Sequence, residues 1–269
     1  MDSLITAALL GLVEGLTEFL PVSSSGHLVL ASSLLGFSGP GASTFEVVIQ
    51  VGAILAVLAL YWRRFLGLLR FSGNKRGFAG LRGILMLVLT TLPAASLGLL
   101  LHGFIKSLFT PATVAAALVC GAVLMLVVEH MLAPKQNNMP VQNIDQLTPL
   151  QALGIGCFQC LALWPGFSRS ASTLMGGMIL GVRREVAAEY SFIAAVPIII
   201  GAAGYDLLKS LSLFTAADVP FFLVGSLCAF LSAIAAMRCF ISLLGHVTLK
   251  PFAVYRLLLA IPVYLFMLR

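Results

Sequence analysis

The 269-residue sequence predicts an all-α integral membrane protein, with six spanning helices plus two re-entrant helical hairpins arranged as an inverted-topology repeat. Three observations carry that prediction. Hydrophobic residues make up 60% of the chain and charged residues only 10%, with a mean hydropathy of +1.06, whereas soluble domains carry about 25% charged residues. Six apolar stretches are long enough to cross a bilayer, which takes about 20 residues at about 1.5 Å rise each. Two further apolar stretches are interrupted midway by proline, glycine and serine.

In chain order, Met1-Asp2-Ser3 lacks the cationic flank of a secretory signal, and the apolar run behind it meets Glu14 and Glu18. The amino terminus therefore reads as mature structure. The first hairpin covers 4–36 and is broken by Pro21-Val22-Ser23-Ser24-Ser25-Gly26. Spanning helices follow at about 45–62, 83–101 and 111–132. The second hairpin covers 148–180, broken by Pro165-Gly166-Phe167-Ser168-Arg169-Ser170, and spans follow at about 190–208, 219–237 and 252–268. Neither half of a broken stretch can span alone. Non-helical backbone at membrane depth is stable only inside protein or beside a water-filled cavity, so both breaks are expected inside the bundle.

Pro21 and Pro165 are 144 residues apart, as are Ser24 and Ser168. The single membrane domain, 1–269, thus divides into two units of one pattern, 1–132 and 148–269. A hairpin plus three crossings is an odd number of passages, so the second unit should sit upside down relative to the first. The two breaks then meet near the midplane, as in transporters whose half-helix amino termini converge on an anion.

The net charge of +6 has an explanation in orientation. With the 63–82 loop cytoplasmic, the inside collects Arg63, Arg64, Arg70, Lys75, Arg76, Arg82, Lys135, Arg183, Arg184, Arg238 and Lys250, and the outside only Lys106, Lys209 and Arg269. Both termini should face outward. No nucleic-acid motif accompanies the basic residues, so no nucleic-acid partner is expected. The five cysteines, Cys157-x-x-Cys160 included, lie in apolar segments and read as small buried hydrophobes rather than a zinc or disulfide framework.

Ionisable groups in the hydrocarbon are functional candidates by default. Glu14 and Glu18, spaced i, i+4, bring like charges together on one helix face. A hard divalent cation such as Mg²⁺, shared with phosphate oxygens, resolves that conflict; hydrogen bonds to a partner helix are the structural alternative. Ser23-Ser24-Ser25-Gly26-His27 offers more hydroxyls than a helix cap needs, and Ser24 and His27, at i, i+3, can face the same side as an activated nucleophile and its base. A serine bonded to its own backbone and a histidine satisfying a buried neighbour are the bland alternatives. At the second break, Arg169 between Ser168 and Ser170 combines a forked cation, two hydroxyls and free amides at a helix start, which suits phosphate oxygens. The structural alternative, an ion pair that neutralises Glu14 or Glu18, does not exclude this role. Together these residues suit hydrolysis of a diphosphate, where positioning and charge neutralisation are the main tasks.

Weaker candidates have structural readings. Glu46 follows Ser43 at capping-box spacing, Glu189 and Asp206 lie near helix ends, His102, His130 and His246 border loops, and Arg256 can snorkel to the interface.

At Glu14-Gly15-Leu16-Thr17-Glu18-Phe19-Leu20-Pro21-Val22-Ser23-Ser24-Ser25-Gly26-His27 and Pro165-Gly166-Phe167-Ser168-Arg169-Ser170-Ala171-Ser172-Thr173 the sequence closely resembles the undecaprenyl-diphosphate phosphatases of the bacitracin-resistance type. Similarity in Phe45-Glu46-Val47-Val48-Ile49-Gln50 and Pro251-Phe252-Ala253-Val254-Tyr255-Arg256 extends it across nearly the whole chain. The resemblance implies hydrolysis of undecaprenyl diphosphate at the outer face of the bacterial inner membrane, recycling the carrier lipid for peptidoglycan synthesis and conferring bacitracin resistance. It also implies dependence on Mg²⁺ or Ca²⁺, an acidic motif at Glu14 and Glu18, a Ser and His at Ser24 and His27, and an Arg motif at Ser168, Arg169 and Ser170. Ser25 stands where relatives often have Thr, which keeps the hydroxyl.

On this reading Ser24 attacks the terminal phosphorus, His27 and Glu18 manage its proton, and Glu14 and Glu18 hold the metal. Arg169, with Ser23, Ser25, Ser168 and Ser170, binds phosphate. His27 as direct nucleophile stays open, as does the oligomeric state, a homodimer included. The rival reading is a lipid flippase or secondary transporter of a phosphorylated substrate, because broken inverted repeats are also a transporter pattern.

Overall fold

In the computed structural model the described residues are 3–39, 41–71, 77–210, 215 and 218–266. Met1, Asp2, Lys75, Arg76 and Arg269 of the readings above lie outside them. Twelve α-helices are seen among the described residues. The first unit holds α1 (Leu4–Thr17), α2 (Ser24–Leu34), α3 (Ala42–Leu60), α4 (Trp62–Leu68), α5 (Gly80–Leu100), α6 (His102–Ser107) and α7 (Pro111–Leu132). The second holds α8 (Pro149–Gln159), α9 (Arg169–Ile179), α10 (Arg184–Ser210), α11 (Val219–Leu244) and α12 (Lys250–Phe266).

Five of these, α3, α5, α7, α10 and α11, are long and apolar enough to cross a membrane. The sixth expected span corresponds to α12, which has 17 described residues. The spans begin or end up to two turns beyond the hydrophobic windows. Thus α10 starts at Arg184 rather than near 190, which places Glu189 inside the helix, 3.6 Å from Arg64, instead of near its end. Leu223, Leu227 and Leu231 of α11, and Val119, Val123 and Val127 of α7, form exposed apolar rows at i, i+4, the pattern of helix faces turned to lipid. Three of the five unpaired cysteines, Cys120, Cys157 and Cys239, share this outward exposure, contrary to the expectation of buried thiols. A thiol is apolar enough to lie against lipid as readily as against protein.

The interrupted stretches do form helix–break–helix units, for local reasons. Pro21 lacks the amide that would continue α1. Ser23 then starts α2 from φ 71°, ψ 95°, its Oγ accepting from the Gly26 amide at 3.4 Å. In the second unit a reciprocal capping box of Thr148 and Gln151 starts α8. Ser168, at φ 79°, ψ 117°, starts α9 with its Oγ accepting from the Ala171 amide at 3.2 Å. Ser23 and Ser168 are the two non-glycine residues with positive φ among those described. The structural counterpart of Ser168 is therefore Ser23, one residue before the Ser24 that proline spacing matches to it.

Helix packing crosses between the units: α1 runs along α11, α8 along α5, α3 along α10, and α7 along α12. Small residues permit the close approach that replaces hydrophobic driving force within lipid. A side chain at Gly11 or Gly15 of α1 would overlap the Gly225 or Ala229 backbone of α11, and one at Gly156 of α8 would overlap the Leu89 and Thr90 backbone of α5. These contacts bring the two breaks together in the interior.

Two polar clusters lie at the end carrying the 63–82 loop. Asp145 accepts from the Phe78 amide at 2.7 Å and from Arg64 at 3.0 Å. Partial burial pushes its carboxyl up, but the Phe78 amide and Arg64 outweigh this and hold it below the usual aspartate value. Buried Glu129 of α7 pairs with Arg184 at 2.5 Å and accepts from the Leu249 amide at 3.1 Å, tying together the starts of α10 and α12.

Candidate active site

Two hydrogen bonds join the two breaks, one from Arg169 to Glu18 and one from Ser170 to Leu20, and Glu18 also holds Ser24 of its own break. This carboxylate, 9% exposed, follows the last residue of α1. Its Oε2 accepts from Ser24 Oγ at 2.6 Å and its Oε1 from Arg169 Nη2 at 2.9 Å. From the second break, Ser170 Oγ donates to the Leu20 carbonyl at 2.8 Å. The expected meeting of the two tips is thus a direct contact of Glu18 and Leu20 with Arg169 and Ser170.

Arg169 is oriented from α10: Nη1 donates to the Ser191 carbonyl at 2.9 Å and lies 3.3 Å from its Oγ, which in turn bonds Thr173 Oγ1 at 2.6 Å. The guanidinium also lies 5.7 Å from the centre of the Phe19 ring. Its Nε is buried without a protein partner, so the fork keeps a donor in reserve.

A cavity of about 260 Å³ opens onto this cluster, lined among others by Glu18, Ser23, Ser24, Ser25, Gln50, Gln159, Ser168 and Arg169. Ala94, Ile105, Phe109, Ile198 and Ala202 form its apolar wall. The cavity is the right kind of place for an amphiphile with an anionic head, because charged and hydroxyl groups converge at one end and hydrocarbon lines the other.

Four expectations change on contact with the geometry. Ser24 and His27 do not pair: His27 Nδ1 lies 2.7 Å from the Ser23 carbonyl and Nε2 2.7 Å from Tyr255 Oη. His27 lines a separate apolar cavity of about 600 Å³ with Leu20, Phe240 and Tyr255. The i, i+3 relation brings the two near one face of α2, but the break gives Ser24 a closer acid in Glu18. Ser170, expected to bind phosphate, is 3% exposed and engaged in the tip-to-tip bond. Arg256 does not snorkel: it is fully buried and donates to backbone carbonyls, Gly166 among them. Glu46 likewise forms no capping box, since Gly41 precedes α3 without a side-chain cap and Glu46 instead accepts from Ser32 at 2.9 Å.

Glu14 is fully buried and neither of its oxygens has a protein partner. Two orphaned carboxylate oxygens one helical turn from Glu18 fit a hard cation, which prefers oxygen ligands and completes its shell with water and substrate phosphate. The site residues that sequence reasoning missed are Ser191, Gln50, Gln159 and Tyr255. A glutamine inside a span is itself a signal, as an amide in hydrocarbon needs a partner; Ser191 and Tyr255 carry no such mark.

Fold and site together define a multi-pass helical membrane protein with an enclosed polar site, in which a serine, a carboxylate and an arginine meet at two broken helices. A family model described as bacitracin resistance protein BacA matches residues 7–262, and the chain belongs to that family. It is 63% identical over 269 residues to the undecaprenyl-diphosphatase of Desulfovibrio desulfuricans, covering 99% of each chain. It is likewise 61% identical over 267 residues to that of Maridesulfovibrio salexigens, 99% of each chain, and 54% identical over 265 residues to that of Lawsonia intracellularis, 98% of each.

Proposed function

We propose that this chain is an undecaprenyl-diphosphate phosphatase, a membrane hydrolase that releases inorganic phosphate and returns undecaprenyl phosphate for peptidoglycan synthesis, with bacitracin resistance as a consequence. The observation that carries the reaction is the Ser24–Glu18–Arg169 chain, with bonds of 2.6 and 2.9 Å. Ser24 Oγ attacks the terminal phosphorus while Glu18 Oε2 takes its proton. The bridging P–O bond breaks, undecaprenyl phosphate leaves, and water then attacks the phosphoserine to release phosphate and restore the hydroxyl. Arg169 holds Glu18 in the empty site and turns its fork to the phosphoryl oxygens when substrate enters. The amides at the starts of α2 and α9 add donors for the same oxygens, and Ser23, Ser25 and Ser168 border the same space. Glu14 and Glu18 would hold a divalent ion, Mg²⁺ or Ca²⁺, whose charge offsets that of the diphosphate when bound. Both nitrogens of His27 are engaged outside this cavity, which favours Ser24 as the nucleophile.

The same reading holds that α12 is a sixth span and that 4–36 and 148–180 are re-entrant hairpins of an inverted repeat. Its support is the exchanged packing of α1 on α11 with α8 on α5, and the matched starts at Ser23 and Ser168. The charge asymmetry supports a cytoplasmic loop after α4. The cavity wall from Ile105 and Phe109, beyond the opposite end of α5, then supports a site opening to the periplasmic side of the inner membrane.

Purified protein in detergent, assayed for phosphate release from undecaprenyl diphosphate with and without chelator, tests the assignment on wild type, Glu18→Gln and Arg169→Ala. Wild type should release phosphate in a chelator-sensitive way and both variants should fail. Chelator-insensitive release by both variants would overturn the site.

A further inference from the structure

Two consecutive residues of α12 reach the two breaks separately. Tyr255 stacks on His27, with ring centres 5.5 Å apart and planes 9° from parallel, and its Oη is 2.7 Å from Nε2. A carbonyl only accepts, so the 2.7 Å contact between Nδ1 and the Ser23 carbonyl puts the imidazole proton on Nδ1 and makes Nε2 the acceptor of the phenol. The chain from Tyr255 therefore ends on the backbone of Ser23, whose φ of 71° is strained for a residue with a side chain. Ser23 immediately precedes Ser24.

Arg256 makes the matching connection to the other break. Its Nη2 lies 3.2 Å from both the Gly166 and Ala117 carbonyls, and its Nε 3.3 Å from that of Leu118. Gly166 has φ 95° and comes three residues before Arg169. The guanidinium occupies the space that a side chain at Gly121 would need. Among the described residues no carboxylate pairs with it. A fully buried cation answered by carbonyls, the Met125 sulfur and the Phe167 ring is a costly way to fill space in a bilayer, and a planar five-donor fork is a good way to fix several carbonyls at once.

We infer that Tyr255 and Arg256 are positioning residues that act as one brace. Tyr255 acts through His27 on Ser23, and Arg256 acts on Gly166, so that α12 sets Ser24 and Arg169 at the spacing Glu18 bridges. Neither lines the cavity that holds Ser24 and Arg169. The inference rests on the phosphatase reading for its kinetic consequence, but not for its structural one.

The test combines turnover with backbone hydrogen exchange in detergent-purified protein. Tyr255→Phe should lower kcat roughly tenfold with KM within about twofold, since a misplacement near 1 Å is enough for losses of that order. In a His27→Ala background it should have no further effect, because the link it feeds is gone. Amide exchange should rise over 22–27 in Tyr255→Phe and over 166–170 in Arg256→Lys. Gly121→Ala, which crowds the guanidinium but keeps its charge, should copy Arg256→Lys. Unchanged kcat in Tyr255→Phe, the same fold-loss with and without His27, or unaltered exchange at both breaks would each overturn the brace. Inactive wild type would instead reject the phosphatase reading and leave the exchange experiment to decide the brace.

Discussion

Ser24 Oγ and Glu18 Oε2 stand 2.6 Å apart across the break between α1 and α2. Helical continuation would have kept these residues, six apart in sequence, on different faces. The proline-terminated turn and the positive φ of Ser23 fold the serine back onto the acid instead. That return makes Glu18 the hydrogen-bond acceptor of Ser24 and the ion-pair partner of Arg169 at once. Glu18→Gln keeps the shape but can neither take a proton nor carry the charge that Arg169 faces. Loss of a positioned general base typically removes about 10²–10⁴-fold, and kcat for phosphate release should fall within that range with the protein still folded. A kcat within about threefold of wild type would show that the proton goes elsewhere.

The buried pair of Arg169 and Glu18 carries a stability consequence separate from catalysis. Arg169→Ala leaves Glu18 charged, 9% exposed and without its cation. Removing one partner of a buried ion pair costs about 3–5 kcal/mol, mostly through the group left behind. Adding Glu18→Gln should recover much of that loss, so the double variant is expected to melt above Arg169→Ala in the same detergent. A double variant that melts lower than both singles contradicts the pairing.

Much of this arrangement was legible in the sequence because hydrocarbon makes polar residues conspicuous. The two breaks, Glu18, Arg169 and the flanking serines all violate an apolar background, and each lies at the junction; Glu14 sits one helical turn back without a partner. What the sequence concealed were choices among partners. Residues i, i+3 on a helix are near neighbours, yet whether His27 turns to Ser24 or to Tyr255 depends on a residue 228 positions away. Arg256 follows the same logic: five residues after Pro251 it reads as interfacial, and only the groove at Gly121 makes room for it inside. Helices α10 and α11 run past the hydrophobic windows of 190–208 and 219–237 because polar residues such as Arg184, Glu185 and Arg238 continue the helix.

Close helix approach at Gly156 predicts a packing defect. A methyl there meets the Leu89 and Thr90 backbone, which cannot yield as a side-chain tip would. Gly156→Ala should lose about 1–3 kcal/mol, the usual range for overpacking, read as a lower midpoint of thermal unfolding. Gly103→Ala, with nothing near its added methyl, is the matched control and should leave the midpoint unchanged.

Asp145 gives a pH dependence with a defined sign. Its carboxyl titrates below the ordinary value of 3.8 in the folded protein. It therefore favours the folded state fully at pH values above that ordinary value, and the contribution is lost as pH falls through the lower folded value. Melting midpoints of wild type and Asp145→Asn, followed from ~pH 6 to ~pH 2.5, should start apart with wild type higher and converge at the acid end. A gap that widens on acidification would assign the Phe78 and Arg64 contacts no role in holding the loop.

Glu14 separates metal binding from packing. It is fully buried with both oxygens unpartnered, which is unfavourable for a carboxylate unless a cation or proton accompanies it. Glu14→Gln should therefore raise the melting midpoint in chelator, where the wild-type carboxylate has no counter-ion, while weakening activation by the divalent ion. Altering a single ligand or its close support commonly costs about 10–100-fold in metal affinity, so the Mg²⁺ or Ca²⁺ concentration giving half-maximal phosphate release should rise by that factor. The two effects have opposite signs and one cause. A variant that loses stability in chelator yet keeps the wild-type metal requirement would make Glu14 a packing residue and move the cation to other ligands of the cavity.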